Sequence, residues 1–431
     1  FKNHQFEYID ISQKIAAIEK KDSIFKDILA RIAASDLVIW SVPLYVCLVP
    51  SQYKRFIELL FEKNGMDSFR GKAAAVITTS IHFYDHTAHN YMRGICEDLH
   101  MVFAGAFSPD MFDLVKEPER ERLLNFASVM FDVAESGKGF TRASDAINYT
   151  MPSYVPGQGP QTLDAGGRNI LILADRDYGD SNLGNMIQRM AANFGNAARV
   201  KLLSDVEIKG GCLGCWGCGF DYRCIYTGKD GFIDFYNAEI KTADIIVYAG
   251  EIKDRYLSAH WKRMFDRAFF NTHTPTLKGK QVGFLLSGPL RQLQNLREIL
   301  TSYGEWQNAN LVDFVTDEDP SPEVDGNIDS LAARLVEYAE KKYIPPPTYR
   351  AVGGMKIFRD DVWGRLRFVF QADHRYYEEQ GIYDFPQEDE KTIARNREMM
   401  ELTSNPELRE SIRKMLKTEM VKPLQHVVET K

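Results

Sequence analysis

Four cysteines fall within thirteen residues of this chain: Cys212-Leu-Gly-Cys215-Trp-Gly-Cys218-Gly-Phe-Asp-Tyr-Arg-Cys224, a C-x2-C-x2-C-x5-C spacing. The whole chain has six cysteines, so four in one loop is a concentration. Three chemistries use thiols in this way. An iron–sulfur cluster needs several thiolates converging on a small cube, and x2 spacings let successive sulfurs turn inward from one tight loop. Zinc also takes thiolates, more often from two separated C-x2-C pairs. A redox dithiol needs only two of the four. The glycines interleaved with the cysteines let the backbone turn tightly enough for any of these.

A second group of residues could bind a planar ligand. Ser41-Val-Pro43-Leu44-Tyr45 directly follows the apolar run 36–41, and Thr78-Thr79-Ser80-Ile81-His82 follows the run 73–77. Ligands of open α/β sheets bind beyond the carboxyl ends of the strands. A rigid proline and an aromatic tyrosine at such an end can lie against a flat ring, and His82 could touch it. The same residues also read as a plain strand-to-helix turn. His86 and His89 follow nearby and read equally well as surface or capping residues. Asp373-His374 is a metal-like pair with no third ligand evident. No Ser-His-Asp or paired-carboxylate constellation stands out.

The elements that must position these residues repeat. At a constant offset of 208 residues, Asp36–Ser41 matches Asp244–Ala249, Tyr53-Lys-Arg-Phe56 matches Trp261-Lys-Arg-Met264, and Gly71–Ile77 matches Gly279–Leu285. Asp22 falls on Asp230. A repeat this long implies a duplicated domain. In the second half, strands are expected at 169–174, 199–203, 244–249, 281–287 and 310–315, with helices near 182–193, 232–242, 259–270, 292–303 and 327–341. Buried strands alternating with helices imply a parallel sheet covered on both faces. The first half enters this plan at what should be its second strand, 6–11. Its first strand, phosphate loop and first helix are not in the sequence, which suggests N-terminal truncation. The cysteine loop is part of the difference between the halves. Asp22 lies eleven positions after Ile11, whereas Asp230 lies twenty-seven after Leu203, and the sixteen extra residues carry the four cysteines.

The expected architecture is therefore α/β: two tandem flavodoxin-like, doubly wound parallel-sheet domains at 1–136 and 168–344, joined by a Gly/Pro/Ser-rich linker at 137–167. A mostly helical C-terminal extension follows at 345–431. A net charge of −7, from 53 basic and 60 acidic residues, argues against a nucleic-acid partner. No apolar run is long enough for a membrane span. Sparse, clustered cysteines suit a reducing, cytoplasmic setting, with Cys47 and Cys96 as buried thiols. Homo-oligomerisation is left open.

Pro43-Leu44-Tyr45, Tyr53-Lys-Arg-Phe56 and Thr78–His82 resemble the NADPH-dependent FMN reductase group of flavodoxin-like proteins. The cysteine loop followed by Lys229-Asp230 is similar to that of the iron–sulfur flavoproteins in the same superfamily. The resemblance spans about residues 1–135 and 168–342. It implies an oxidoreductase or electron carrier with FMN, a [4Fe-4S] cluster on Cys212, Cys215, Cys218 and Cys224, and NAD(P)H or ferredoxin as donor. Small molecules or proteins would be the electron partners. Ser41, Pro43, Leu44, Tyr45, Thr79, Ser80 and His82 would hold the flavin ring. Ser181 and Asn182 would start a phosphate-binding helix in the second half, although Asp175, Asp177 and Asp180 put negative charge there. The offset also replaces Pro43 by Glu251 and Tyr45 by Lys253. The halves thus divide the chemistry, with flavin-ring loops in one and the thiol loop in the other. Two rival readings remain at this stage: a non-catalytic scaffold with structural zinc, and a thiol-based quinone or metal-ion reductase without a cluster.

Overall fold

The apolar runs pair as two parallel sheets. A computed structural model describes residues 4–429. In it β1 (Leu37–Pro43), β2 (Ala73–Thr79) and β3 (Val102–Phe107) form a three-stranded sheet in that order. Strands β4 (Ile170–Ala174), β5 (Ala198–Leu202), β6 (Ile245–Glu251), β7 (Gln281–Ser287) and β8 (Asn310–Thr316) form a five-stranded sheet ordered β5-β4-β6-β7-β8. Every strand pair is parallel. Strands β4 and β7 are buried along their whole length and β6 over all but its last residue. Burial on both faces is what makes these segments continuous apolar runs in the sequence.

Helices fill the intervals as the periodicity implies. The first half has α1 (Ile15–Lys20), α2 (Asp22–Ala33), α3 (Ser51–Glu62), α4 (Asp85–Asp98) and α5 (Glu117–Ser136). The second has α6 (Asn182–Phe194), α7 (Phe232–Phe235, continued by a π-turn at Tyr236–Ile240), α8 (Ala259–Ala268), α9 (Gln294–Trp306) and α10 (Ser321–Lys341). After these come α11 (Tyr349–Trp363), α12 (Gln371–Glu379), α13 (Glu390–Leu402) and α14 (Pro406–Glu429). Ser181 and Ser258 cap α6 and α8 by accepting from Gly184 N and Trp261 N. No described helix is long and apolar enough to cross a membrane.

The chain divides into two compact units at His374/Arg375, so α11 and the residues up to His374 belong with the two sheets. The sequence had put that boundary at 344/345. The unit from Arg375 onward is helical.

One expected strand is not formed. Residues 6–11 carry no ladder, although Arg31 tethers them through Glu7 Oε1 (2.5 Å) and the Tyr8 carbonyl (3.3 Å). A cavity of about 1280 Å³ separates them from the open edge of β1. The second sheet has β4 at the equivalent place, between β5 and β6. A strand needs a neighbour to bond to, and here that neighbour's position is a cavity.

Positions 208 apart share backbone detail. The β1–β2 register pairs Leu37 with Ala73, and β6–β7 pairs Ile245 with Gln281. Both second strands shift register at matching places, 74/75 and 282/283. Lys72 Nζ donates to the carbonyls of Ala33 and Ser35, and Lys280 Nζ to those of Lys241 and Ala243. Helices α3 and α8 pack together and cap each other. Ser51 N donates to Asp266 Oδ2 (2.7 Å) and Ala259 N to Glu58 Oε1 (2.6 Å). Buried Lys54 joins Glu58 (2.8 Å) and Asp254 (2.9 Å), while buried Lys262 reaches Asp266 and the Tyr45 carbonyl (2.9 Å). Because buried charges are costly unless paired, these reciprocal pairs tie the two halves in one geometry.

The linker forms no helix or strand between 137 and 167, as its composition implies. It is nonetheless pinned. Glu97 accepts from Ala143 N and Ser144 N, and Asp325 accepts from Tyr154 Oη (2.7 Å) and Gly157 N.

Candidate functional site

The two groups of residues singled out by chemistry meet in space. β1 and β2 end side by side, with Pro43 opposite Thr79 and Leu44 N donating to the Thr79 carbonyl (3.2 Å). The chain then turns back at once: Tyr45 N bonds Leu48 O (2.8 Å) and Leu48 N bonds Tyr45 O (3.0 Å). Val46 (φ 39°) and Cys47 (φ 63°) form the centre of this turn. Two successive positive-φ residues fit a type I′ geometry, and a β-branched valine there is strained. Ser41, Pro43, Thr79 and His82 are exposed along the crest, and Leu44 and Ser80 are half-buried.

The turn aims Tyr45 at the thiol loop. Its hydroxyl lies against Gly214 and beside Cys212, and burial, then the neighbouring Cys212, Asp266 and Cys215, push the phenol well above its ordinary range. The same hydroxyl lies where a Cβ on Gly214 would sit, and Gly214 is held at φ +62°. Only glycine combines that backbone with that approach. Gln52 Nε2, in the first turn of α3, donates to the Cys212 carbonyl (3.0 Å). A Cβ on Gly211 would lie 2.6 Å from Ser51 Oγ.

The second half holds the loop from the other side. At its neck Asp230 accepts from Lys209 N (3.1 Å) and pairs with buried Arg267 (2.8 Å), which also donates to the Gly210 carbonyl (3.0 Å). The Arg267 guanidinium sits 4.1 Å from the centre of the Tyr226 ring. Trp216 and Phe220 meet Phe370 and Phe368 at ring distances of 6.2 and 6.0 Å. Cys218 Sγ faces the Phe269 carbonyl (3.6 Å).

The thiols share one loop but not one ligand geometry. Cys215 is exposed, Cys212 and Cys224 are half-buried, and Cys218 is buried. Burial, followed by neighbouring charges that include the other thiols, pushes Cys212 up to about 11 and Cys218 to about 12. Among the described residues no three His, Cys, Asp or Glu side chains gather at metal-binding distance. The donor set suits a soft metal or a cluster, but the arrangement does not present one. Cys47 is buried and pushed up to about 12, and Cys96 is buried and raised, as expected of inert thiols.

The second-half crest is occupied by the protein itself. Asp175 accepts from Tyr178 Oη (2.6 Å) and from Ser258. Ser181 caps α6, and the Asn182 carboxamide donates to Pro152 O (2.7 Å) and Asp317 Oδ2 (3.0 Å) while accepting from Tyr154 N (2.9 Å). Asn182 thus fastens the linker over the crest. A cavity of about 180 Å³ remains there, lined by Arg176, Asp177, Ser181 and Glu251 among others. Glu251 pairs with Arg176 (2.9 Å) and Lys253 (2.7 Å). Asp373 is buried and accepts from Thr272, Thr274 and His273, with His273 Nδ1 at 2.8 Å.

Two residues that shape the site carry no sequence signal: Gln52 and Arg267 act through contacts that cross from one half, or one end of the loop, to the other. Gly214 was legible as one of the loop's turning glycines, but its contact with Tyr45 was not. Arg267 has no basic counterpart at position 59, which is Leu59.

Residues 2–109 match the NADPH-dependent FMN reductase family. This stretch, which holds the crest of β1 and β2, carries the pattern of an oxidoreductase family. No curated protein matches the chain. Solved structures similar to it include RosB with a bound 8-demethyl-8-formylriboflavin-5'-phosphate intermediate (15% identity, 40% of this chain and 79% of that one, TM-score 0.31). Others are a flavone reductase (13%, 40% and 62%, 0.30) and the NAD(P)H:acceptor oxidoreductase FerB from Paracoccus denitrificans (13%, 41% and 98%, 0.26).

Proposed function

We propose that the protein is an NAD(P)H-linked, flavin-dependent oxidoreductase whose flavin ring lies on the crest of β1 and β2. The observation that carries the reading is the contact between that crest and the thiol loop. Tyr45 leaves the end of β1, within the FMN reductase-like stretch, and its hydroxyl meets Gly214 beside Cys212 in the other half. Two candidate redox elements in contact are a better basis for electron transfer than either alone. The exposed Pro43 and the adjacent Leu44 offer flat apolar surface, and Ser41, Thr79 and Ser80 offer hydroxyls and backbone groups on the same crest. This set fits an uncharged planar ring. When bound, FMN would accept a hydride from NAD(P)H and release electrons singly or in pairs. The residues' own task is to orient the ring, to shield its Tyr45 side from water and to keep it beside the thiols.

The two halves are read as copies of one unit, 1–136 and 168–344, on the strength of the 208-residue offset in sequence, register and lysine contacts. Only the second copy has the thiol loop. A [4Fe-4S] cluster on Cys212, Cys215, Cys218 and Cys224 is the form favoured by the C-x2-C-x2-C-x5-C spacing. Purification without air, followed by flavin, iron, sulfide and zinc analysis, tests both parts. Flavin absorbance near ~450 nm and NAD(P)H-dependent bleaching are expected. Stoichiometric zinc with no flavin would overturn the reading. Flavin without iron or sulfide would leave the reductase standing and reduce the loop to a thiol centre.

A further inference from the structure

Behind the crest, five polar side chains form an unbroken line. His89 Nε2 lies 2.8 Å from Thr78 Oγ1, which donates to Ser108 Oγ (3.2 Å). Ser108 donates to Asp85 Oδ2 (2.8 Å), and the same oxygen lies 2.9 Å from His82 Nδ1. The donors can be assigned by counting protons. Each hydroxyl has one. The Thr78 proton goes to Ser108 and the Ser108 proton to Asp85, so His89 must donate Nε2–H to Thr78. The carboxylate in turn takes Nδ1–H from His82. Every proton in the line points to Asp85, and the two histidines hold opposite tautomers.

The line also fixes where His82 presents its other nitrogen. Thr78 is fully buried at the end of β2, whereas the His82 side chain is 48% exposed beside Ser80. His82 (φ 63°) and Tyr84 (φ 58°) are both left-handed, and His82 N is bonded to Ser80 Oγ (2.9 Å). Such strain persists only where surrounding contacts over-determine it. Burial tends to raise Asp85, but the hydrogen bonds from His82 and Ser108 outweigh it and its carboxyl is lowered. Burial pulls His89 down, which favours its neutral form. The charged groups around His82 are Asp85, His86 on α4, and Asp110 beyond β3, which Arg365 holds with two bonds of 2.5 and 2.6 Å.

We propose that His82 is the proton donor to the acceptor reduced at this crest, through Nε2, with Asp85 as its positioning residue and Ser108–Thr78–His89 as the support of that carboxylate. The proposal rests on the reductase reading. A quinone-type acceptor needs two electrons and two protons. A hydride, which bound reduced flavin would supply, carries both electrons and one proton. The second proton comes from protonated His82: its Nε2–H bond breaks, an O–H bond forms on the acceptor oxyanion, and neutral His82 is left with Nδ1–H on Asp85. Water reaching the half-exposed His82 side chain restores the proton.

Two acceptors separate the proton from the electrons. Ferricyanide takes electrons and needs no proton, whereas a benzoquinone needs both. His82→Gln in the flavin-loaded protein is expected to lower quinone turnover at least about 10-fold more than ferricyanide turnover, the low end of general-acid contributions. Nitrogen-15 NMR of the histidines, independent of activity, is expected to show the Nδ1–H tautomer at His82 and Nε2–H at His89. In Asp85→Asn the His82 preference should be lost while the fold, checked by circular dichroism, is kept. Equal losses with both acceptors, or an Nε2–H tautomer at His82, would overturn the donor role and leave the reductase reading intact. A flavin-loaded wild-type protein that reduces neither acceptor would overturn that reading and the donor role together.

Discussion

Gly214→Ala tests the contact that joins the two halves. Gly214 sits at φ +62°, and an added Cβ would fall on the Tyr45 hydroxyl. The left-handed backbone alone costs an L-residue about 1–2 kcal/mol. Tyr45 must also withdraw and lose its polar contacts with the loop, worth about 1 kcal/mol. The expected loss of stability is about 2–3 kcal/mol, or roughly 3 °C in Tm for a unit of this size. Urea unfolding followed by tryptophan fluorescence reports it. The decisive arm is a double-mutant cycle with Tyr45→Phe, which removes the oxygen that the new Cβ would meet. In that background Gly214→Ala should cost the backbone strain alone, a coupling of about 1 kcal/mol between residues 169 positions apart. Strict additivity would show that Tyr45 and the loop do not touch, and the argument for a joint redox site would fall with it.

Arg267→Met leaves Asp230 buried without its partner and should cost about 3–5 kcal/mol, the usual penalty for breaking a buried pair; limited proteolysis should then cut first within 210–229. Cys47, Cys212 and Cys218 have folded-state values of about 12, 11 and 12 against an ordinary 9.0. A raised thiol favours the protonated folded state, so their contribution is complete below pH 9 and is lost as pH climbs from 9 towards 12. Unfolding curves taken across that window should show falling stability, and Cys47→Ala should flatten the fall. Iodoacetamide at pH 8 should label exposed Cys215 well before Cys218. Asn182→Ala removes the side chain that binds Pro152, Asp317 and Tyr154 and should cost about 1–3 kcal/mol; faster protease cleavage near 150–155 is the accompanying sign.

Strands β4, β6 and β7 were legible because each is enclosed on both faces, and a segment enclosed in that way must be apolar throughout. The same pattern misled at 6–11. Those residues have strand-like character, but a ladder also needs a neighbour, and the flank of β1 is a cavity instead. The linker was legible by its glycines and prolines, whereas its fastening by Glu97, Asn182 and Asp325 was not, since single polar side chains have no periodicity. For the same reason Ser108, Asp85 and His89 gave no warning of a line through Thr78.

The sequence by itself determined the thiol loop, its presence in one half only, and the crest residues from Ser41 to Tyr45 and Thr79 to His82. Residue type and local spacing suffice for that, because loops and strand ends are short-range structures. Tertiary structure alone decided that Tyr45 reaches Cys212. That contact depends on α3 and α8 capping each other through Ser51, Glu58, Ala259 and Asp266, groups that are buried and cannot stay unpaired. It also decided that the four thiols, neighbours in sequence, point into different surroundings. One faces solvent, one lies against the Phe269 carbonyl and one sits beside a tyrosine from the other half, because the aromatic and charged anchors that hold the loop give each segment different neighbours.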